Sequence, residues 1–320
     1  MVRRSLVVSI ALFFALLTSR ASAAGVREES VTVTIPTGVL SGALMLPMGS
    51  GPFPVALIIA GSGPTDRDGN QLAFRSDAYK KLAQGLAARG IATLRYDKRG
   101  IGDSINHQPE ADLRFDDYVS DALALTAWLE RDPRLHGIAI IGHSEGSLIG
   151  LLAAQQDPHV QAFVSLEGAG RDLGTILDEQ VRDAGATPNI VNEVVSIDAS
   201  LRAGKAVPDP DPQLATLFRP SVQPYLISEY HYDPAKEIAK LTIPVLIVHG
   251  STDIQVSAAD AKLLAAADPK ARVANVDGMN HVLVDAPAGR DANIATYSKP
   301  GLPLGATLVP AIAQFLLSAI

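Results

Sequence analysis

The sequence has 320 residues, of which 47% are hydrophobic and 19% are charged, and its formal net charge at pH 7 is -7. A chain of this length can bury a sizeable core, while its acidic balance argues against a nucleic-acid partner. It contains no cysteine, which excludes stabilisation by disulfides, so the core alone must stabilise the fold.

Residues 1–23 are predicted to be a secretory signal peptide. The charged start MVRR is followed by the apolar run LVVSIALFFALL and the small-residue stretch TSRASAAG, which are the three zones of such a leader. The apolar run is shorter than the roughly 18 residues that a membrane span needs. We therefore expect cleavage near Ala23, export to the periplasm or the exterior, and no stable membrane insertion after cleavage. A retained membrane anchor is the alternative.

The pattern after the leader predicts an α/β protein. SVTVTIP and GVLSGALMLP alternate apolar and polar residues around Thr37 and Gly38, which indicates an antiparallel hairpin. Short apolar runs then alternate with helical patterns, as is typical of a parallel sheet covered by helices. The six further predicted strands are PVALIIA, IATLRYD, GIAIIG, VQAFVSLE, IPVLIVHG and ARVANVDG. The main predicted helices cover residues 79–89, 118–130, 147–156, 257–267 and 307–317.

One connection in this pattern is much longer than a crossover between strands. About seventy residues separate the strand ending near Glu167 from the strand after Leu241, whereas connections in such folds are normally short. This segment contains helical patterns and the proline-rich stretch VPDPDP. We therefore predict a helical cap over residues 168–240, inserted into a core of residues 28–167 and 241–320. The predicted sheet has eight strands and is mostly parallel, with the hairpin at its N-terminal edge.

The sequence GHSEG, residues 142–146, is the strongest candidate for a catalytic motif. It lies between the predicted strand GIAIIG and an apolar helix. This is the setting of a nucleophile elbow, in which a tight turn presents a serine at the end of a strand and beside a helix N-terminus. Ser144 is therefore predicted to be a nucleophile. An ordinary helix N-cap is the alternative role for this serine.

A serine nucleophile needs a histidine base that is oriented by a carboxylate. His281 follows the last predicted strand in VDGMNHVL and is the preferred base, with His249 as the alternative. Asp253, in HGSTDIQV, is the preferred carboxylate, with Glu167 as its competitor. The chain order Ser144, Asp253, His281 matches the order expected for elbow hydrolases.

The polar loop AGSGPTDRDGN, residues 60–70, follows the third predicted strand and allows three interpretations. It lacks the G-K-[ST] of a phosphate-binding loop, and it lacks the sixth-position glycine and final glutamate of an EF-hand. We therefore expect neither a metal nor a cofactor. In an elbow hydrolase, this loop and the residue after the nucleophile supply the N–H groups of the oxyanion hole. Ser62 and Glu145 are thus the predicted donors, and Asp68 or Asn70 should anchor the loop.

These motifs together resemble the α/β-hydrolase superfamily. The resemblance is strongest to its bacterial exported esterase-like members with a helical cap, which are similar to the serine aminopeptidase and dienelactone-hydrolase-like groups. It rests on GSGPTDRDGN, RYDKRGIGDS, GHSEG, HGSTD and GMNH. It implies the same triad and oxyanion donors as above, without indicating the substrate.

The motif RYDKRGIGDS and the residue Ala60 concern the support of the site rather than its chemistry. Within RYDKRGIGDS, it implies that three residues brace the site without taking part in chemistry, namely Asp97, Arg99 and Gly102. The chain departs from the family at Ala60, where many relatives carry a histidine before the oxyanion loop. The support of that loop must therefore differ here.

The predicted function is a serine carboxylesterase that acts on a small-molecule ester. Ser144 would form an acyl-enzyme, and water activated by His281 would release the acid. Three cap tyrosines are candidate substrate-binding residues, with burial in the cap core as the alternative: Tyr225, Tyr230 and Tyr232.

Two other functions stay open at this point. An exported serine aminopeptidase or amidase would need an acidic residue to bind a peptide amine, and the cap offers Glu193 and Glu229. A non-catalytic binding module on a hydrolase scaffold is the alternative from another class. The sequence does not indicate the acyl or alcohol group or the oligomeric state.

Overall fold

A computed structural model describes residues 25–320, so the predicted signal peptide lies outside the described residues. Nine strands form a single sheet in this part of the chain. The strands are β1 (Val26–Ile35), β2 (Gly38–Pro47), β3 (Phe53–Ile59), β4 (Ala92–Tyr96), β5 (Ile105–Asn106), β6 (Leu135–His143), β7 (Val160–Leu166), β8 (Val245–Gly250) and β9 (Arg272–Val276).

Eleven α-helices and two short 3₁₀ turns accompany the sheet within residues 25–320. The helices are α1 (Ala78–Ala87), α2 (Phe115–Glu130), α3 (Glu145–Gln156), α4 (Leu173–Asp183), α5 (Pro188–Arg202), α6 (Ala215–Phe218), α7 (Gln223–Glu229), α8 (Pro234–Ile238), α9 (Ala258–Ala267), α10 (Arg290–Ile294) and α11 (Leu308–Ala319). Among these described helices, none is both long and apolar enough to cross a membrane.

The sheet is mostly parallel, with an antiparallel hairpin at its N-terminal edge. Its strand order is β1-β2-β4-β3-β6-β7-β8-β9. Strand β2 pairs antiparallel with both β1 and β4, and the pairs from β4 across to β9 are parallel. The predicted fold class is confirmed. The short β5, which pairs with β2, is additional to the eight predicted strands, because two residues are too few to show an alternating pattern.

Apolar side chains cover both faces of the central strands, which explains their continuous hydrophobic runs. On one face, the core includes Phe115 and Leu125 of α2 and Ile149 of α3. On the other face, Leu82 of α1 and Ile312 of α11 belong to a second core. The parallel strands therefore lie between two helical layers, and their carboxyl ends meet at one edge.

The first turn of α2 shows why its observed start differs from the predicted one. The helix begins at Phe115, three residues before the predicted range of 118–130. The Asp117 carboxylate accepts a hydrogen bond from the Arg114 N–H at 2.8 Å, which satisfies a donor at the helix start. This capping interaction extends the helix into a polar segment that shows little hydrophobic periodicity.

The helices α4 to α8 all lie between β7 and β8, in the segment predicted to be the cap. The side chains of Asp172 and Asp233 accept hydrogen bonds from the first turns of α4 and α8, as N-cap residues do. The cap contacts the core where the Ser228 hydroxyl accepts a hydrogen bond from the Phe115 N–H at 2.8 Å. The domain boundaries themselves stay a prediction.

Candidate active site

Ser144 lies at a strained turn between β6 and α3. Its φ of 55° and ψ of -125° fall in a region that non-glycine residues rarely adopt. A Cβ at Gly142 would lie 2.2 Å from the Gly146 carbonyl oxygen, and one at Gly146 would lie 2.5 Å from the Ala60 carbonyl oxygen. Both glycines are therefore required for the tight turn. The Ser144 N–H donates to the Leu166 carbonyl at 2.9 Å, which holds the turn against β7.

His281 and Asp253 form a buried hydrogen-bonded pair. The His281 Nδ1 lies 2.7 Å from the Asp253 Oδ2, and the other carboxylate oxygen accepts the N–H groups of Gln255 and Val256. Burial alone would raise the Asp253 pKa, but His281 and these hydrogen bonds outweigh it and lower the pKa to about 2. An ionised Asp253 thus fixes the proton of His281 on Nδ1 and leaves Nε2 as the basic nitrogen.

The alternative base and the alternative acid pair with each other. The His249 Nδ1 lies 3.0 Å from the Glu167 Oε2, and both side chains are buried. Burial raises the pKa of Glu167 well above its ordinary range, and the charge of the nearby Asp253 adds to this. One ligand atom each of Glu167, His249 and Asp253 lie within 4.8 Å of one another, so these side chains could hold a metal ion.

The two predicted oxyanion donors lie beside the elbow. A Cβ added to Gly61 would lie 3.0 Å from the Ser144 Cβ, so the loop after β3 packs directly against the serine. Among the described residues, neither the Ser62 N–H nor the Glu145 N–H donates a hydrogen bond. Both residues line the cavity that contains Ser144. This arrangement is chemically suited to binding a negatively charged oxygen.

A hydrogen-bonded chain links the oxyanion loop to the histidine. The Gly61 N–H donates to the Tyr79 hydroxyl at 3.2 Å, and this hydroxyl lies 2.8 Å from the His143 Nδ1. The His143 Nε2 lies 2.8 Å from the His281 carbonyl oxygen, which can only accept. His143 therefore carries its proton on Nε2, and Tyr79 donates to Nδ1. Burial, assisted by the nearby His281, lowers the pKa of His143 to about 3, so its ring is neutral.

A buried lysine connects the two predicted oxyanion donors. The Lys98 Nζ donates to the Gly61 carbonyl and to the Glu145 Oε2, at 3.0 Å in each case. The other Glu145 oxygen accepts the Tyr225 hydroxyl at 2.9 Å. Burial opposes the charge of Lys98, but the Glu145 carboxylate outweighs burial and raises the lysine pKa above its ordinary value. Lys98 is therefore a cation in the protein interior.

The polar half of the loop after β3 is held by its own side chains. The Asp66 Oδ1 accepts the N–H groups of Asp68 and Asn70, both at 2.9 Å. Asn70 accepts the Ser76 N–H at 3.0 Å, and Asp68 accepts the buried Arg95 guanidinium at 2.8 Å. The expected anchoring by Asp68 or Asn70 is thus confirmed. Each of the three side chains that a calcium loop would use, Asp66, Asp68 and Asn70, accepts a hydrogen bond from a protein donor through at least one oxygen.

The bracing role expected for the motif RYDKRGIGDS agrees with the structure. Asp97 accepts the Arg67 backbone N–H at 2.7 Å and also its guanidinium, which ties the motif to the oxyanion loop. Arg99 forms a two-pronged ion pair with Asp121 at 2.6 and 2.7 Å. Gly102 has a φ of 54°, and a Cβ there would lie 2.4 Å from Asp97 Oδ2. These residues support the site without lining its cavity.

Ser144 and His281 open into one cavity of about 560 Å³ beneath the cap. Its cap wall includes Leu173, Leu177, Val222, Tyr225, Leu226 and Glu229. A smaller cavity of about 100 Å³ shares Ser62, Ser144 and Glu145 with the larger one. The candidate nucleophile therefore lies where the two cavities meet, and both have polar as well as apolar lining residues.

The three cap tyrosines do not share one role. Tyr225 is buried and lines the cavity, as predicted for a substrate-binding residue. Tyr230 and Tyr232 are not among the described residues that line it, which corrects the prediction for these two. The Tyr230 hydroxyl donates to Asp198 and the Tyr232 hydroxyl donates to Asp116, so both are turned toward other contacts. Their rings pack against the core instead.

The two cap glutamates also differ in position. Glu193 accepts the Asp211 N–H at 2.7 Å and is not among the described cavity residues. Glu229 lines both cavities and is buried, and its Oε2 has no hydrogen-bond partner within residues 25–320. Burial and the nearby Glu145 charge raise the pKa of Glu229 well above its ordinary range. It is therefore an unpaired carboxyl group beside the candidate nucleophile.

Three residues support the site from different positions: Tyr79 and His143 line the larger cavity, and Lys98 lies behind its wall. None of the three is among the site residues predicted from the sequence, although His143 lies within the GHSEG motif. The sequence did offer a signal for Lys98, because this lysine of RYDKRGIGDS comes shortly after a predicted buried strand. A cation buried there would need partners of opposite charge or hydrogen-bond acceptors. Neither the Tyr79 nor the His143 contact has a comparable local signal.

A mostly parallel sheet that carries an elbow serine and a histidine–carboxylate pair at its carboxyl edge defines an α/β hydrolase. A family described as serine aminopeptidase, S33, matches residues 72–172. Esterase EstD of Thermotoga maritima is 27% identical over 264 residues, which is 81% of this chain and 60% of that esterase. The chain thus spans less than two thirds of this relative. The fold, the site and these matches assign the chain to the α/β-hydrolase superfamily, and its sequence is similar to that of an esterase.

Two further comparisons support this assignment. The 2-(acetamidomethylene)succinate hydrolase of Mesorhizobium japonicum is 27% identical over 241 residues, which is 69% of this chain and 82% of that enzyme. The structure of Est1E from Butyrivibrio proteoclasticus with bound ferulic acid superposes with a TM-score of 0.62 at 19% identity. That match covers 90% of this chain and 98% of Est1E. At this identity, it establishes the shared fold.

Proposed function

We propose that the protein is a serine carboxylesterase. The observation that carries this proposal is that Ser144, at a strained elbow, lines the same cavity as His281, which is hydrogen-bonded to Asp253. The N–H groups of Ser62 and Glu145 at this cavity, which have no acceptor within residues 25–320, complete the set that ester cleavage requires. The similarity to the Thermotoga esterase supports an ester as the substrate.

The proposed reaction proceeds through an acyl-enzyme. His281 Nε2 takes the proton from the Ser144 hydroxyl as its oxygen attacks the ester carbonyl carbon. The carbonyl oxygen becomes an oxyanion, which the Ser62 and Glu145 N–H groups bind. The bond to the alcohol oxygen breaks, and the histidine returns the proton to that oxygen. Water then attacks the acyl-enzyme with His281 as base, which releases the acid and restores the Ser144 hydroxyl. Each oxyanion donor contributes about 3 kcal/mol to transition-state stabilisation.

The two cavities favour a short acyl group and a larger alcohol group. The leaving oxygen receives its proton from His281, which lines the larger cavity and is not among the described residues of the smaller one. The alcohol portion therefore belongs in the larger cavity, and the acyl portion belongs in the smaller one. The smaller cavity has about 100 Å³, and its lining includes the apolar side chains of Leu148, Ile176 and Val256 beside polar ones. It suits an acyl chain of a few carbons.

Hydrolysis of p-nitrophenyl esters of increasing acyl length tests both parts of the proposal. We expect the highest kcat/KM for the shortest chains, from acetyl to butyryl, and a loss of activity in Ser144→Ala of at least about 10³-fold. Matched p-nitroanilides serve as the amide series. No hydrolysis of any ester by folded wild-type protein would refute the esterase. A preference for long acyl chains would refute only the assignment of the two cavities.

An aminopeptidase or amidase is a second candidate, and one observation favours it. Glu229 presents a buried carboxyl group without a partner among the described residues, beside Ser144. A bound substrate ammonium group would favour the ionised form of this carboxyl group. The match of residues 72–172 to the serine aminopeptidase family supports a peptidase, although it does not extend to Glu229. Alanine p-nitroanilide and its N-acetylated form decide the question. Faster cleavage of the free amine than of matched esters, lost in Glu229→Gln, would favour the peptidase. Activity on esters alone would exclude it.

We also propose that the chain is exported and that residues 1–23 are removed. The proposal rests on the charged, apolar and small-residue zones of the leader. N-terminal sequencing of protein recovered from the periplasm or medium should find a new terminus near Ala23. An intact leader on protein that stays with the membrane fraction would support the retained anchor instead.

A further inference from the structure

We propose that Lys98 is a positioning residue that sets the direction and strength of the oxyanion hole. The inference deepens the proposed esterase and rests on it, because it concerns the predicted donors Ser62 and Glu145. The Lys98 Nζ is within 3.0 Å both of the Gly61 carbonyl oxygen and of the Glu145 carboxylate. One cation therefore contacts the peptide that carries one donor and the side chain of the residue that carries the other.

The contact with Gly61 acts directly on the Ser62 N–H. The Gly61 carbonyl and the Ser62 N–H belong to the same peptide group, which is planar, and in a trans peptide they point in opposite directions. A hydrogen bond that fixes the carbonyl oxygen therefore also fixes where the N–H points. Because the donor is a cation in a buried environment, it also polarises the peptide and makes the N–H a stronger donor.

The surroundings of Lys98 hold its ammonium group in one place. Its side chain is 5% exposed, and its Nζ lies 4.7 Å from the centre of the Tyr118 ring, in addition to the two oxygen acceptors. The three donors of the ammonium group thus face Gly61, Glu145 and Tyr118. Lys98 is not among the described residues that line the cavity. It can affect the reaction only through the groups that it contacts.

A purely structural role for Lys98 makes a different prediction. If the lysine only neutralised the buried Glu145 carboxylate, removing both charges together would restore an intact site. The double variant Lys98→Met, Glu145→Gln does this while it keeps the Glu145 backbone N–H. The single variant Lys98→Met is less informative, because it leaves a buried carboxylate uncompensated and destabilises the protein.

For the double variant, we expect a lower kcat and an unchanged KM. We expect kcat on p-nitrophenyl acetate to fall about 10- to 100-fold below that of Glu145→Gln, somewhat less than when an oxyanion donor is removed outright. Affinity for a trifluoromethyl ketone, which forms a tetrahedral oxyanion on serine, should weaken by a similar factor. Lys81→Met is the matched control, because the Lys81 Nζ also donates to a backbone carbonyl, that of Leu302 at 2.7 Å, away from the cavity.

Chemical rescue adds a second test, because the chain contains no cysteine. Lys98→Cys, alkylated in urea with bromoethylamine and refolded, carries a lysine analogue at this position alone. It should regain most of the lost kcat, whereas the iodoacetamide adduct should not. Wild-type protein taken through the same cycle corrects for incomplete refolding.

The outcomes separate this inference from the proposed function. If the wild type hydrolyses esters and Ser144→Ala does not, the proposed function is supported. If kcat of the double variant then equals that of Glu145→Gln, only the role of Lys98 is overturned. The role of Lys98 would also be overturned if the double variant differed from Glu145→Gln only in a higher KM or a lower thermal stability. An inactive wild type would overturn the esterase and, with it, the inference.

Discussion

Replacing Tyr79 by phenylalanine should destabilise the protein and slow the proposed reaction. The Tyr79 hydroxyl accepts the Gly61 N–H at 3.2 Å and donates to the His143 Nδ1 at 2.8 Å. Its removal leaves two buried polar groups without a partner, because Gly61 and His143 are themselves buried. The variant therefore tests whether this hydroxyl connects the oxyanion loop to the elbow.

The size of the effect follows from the two orphaned groups. An unsatisfied buried donor or acceptor costs roughly 1–3 kcal/mol, so the loss of both partners should lower the free energy of unfolding by about 2–6 kcal/mol. The matched control is Tyr96→Phe, since the Tyr96 ring is also buried but its hydroxyl has no partner within residues 25–320. That change should leave the free energy of unfolding within about 0.5 kcal/mol of wild type or raise it slightly.

Equilibrium urea unfolding followed by circular dichroism measures both variants, and p-nitrophenyl acetate hydrolysis measures activity. We expect Tyr79→Phe to lower the urea midpoint and kcat, while Tyr96→Phe changes neither appreciably. If the two variants are equally stable, the proposed role of the Tyr79 hydroxyl is wrong. The hydroxyl would then not satisfy groups on which the stability of the fold depends.

Three further predictions concern the surroundings of the site. Gly102→Ala should lower the urea midpoint by the equivalent of about 2 kcal/mol or more, because a Cβ there would lie 2.4 Å from Asp97 Oδ2; unchanged stability would contradict this. Arg99→Met should cost about 3–5 kcal/mol in the same assay, since it leaves Asp121 buried without its ion pair. Asp198→Asn should flatten the pH dependence of unfolding. Burial raises the Asp198 pKa to about 7, so the folded state retains a proton that the unfolded state loses near pH 4. The free energy of unfolding therefore falls by up to about 1.4 kcal/mol per pH unit between pH 4 and 7, and an unchanged slope in the variant would count against this origin.

Much of the fold could be predicted because its strands are buried on both faces. Such strands appear in the sequence as short apolar runs, and the elbow glycines at 142 and 146 are constrained by backbone contacts within the same turn. The β5 strand could not be predicted, since Ile105 and Asn106 form only two residues of pairing. The start of α2 depends on the Asp117 side chain rather than on periodicity.

The supporting contacts of the site depend on pairings between distant parts of the chain. The sequence favoured Asp253 over Glu167 as the acid of the site, but both follow strands that end at the same sheet edge, so the pattern left Glu167 as a competitor. The structure pairs them with His281 and His249 respectively. Likewise, the Lys98 contact with the oxyanion loop depends on how neighbouring strands align, which no local pattern encodes.

Covalent labelling with a fluorophosphonate tests directly whether Ser144 is a nucleophile, on which the proposed function depends. We expect one adduct per folded chain, located by peptide mass spectrometry on the peptide that contains Ser144, with loss of ester hydrolysis in proportion to labelling. Ser144→Ala should not be labelled. A folded wild-type protein that forms no adduct, or an adduct that persists in Ser144→Ala, would contradict the account and favour a non-catalytic binding module on the same scaffold.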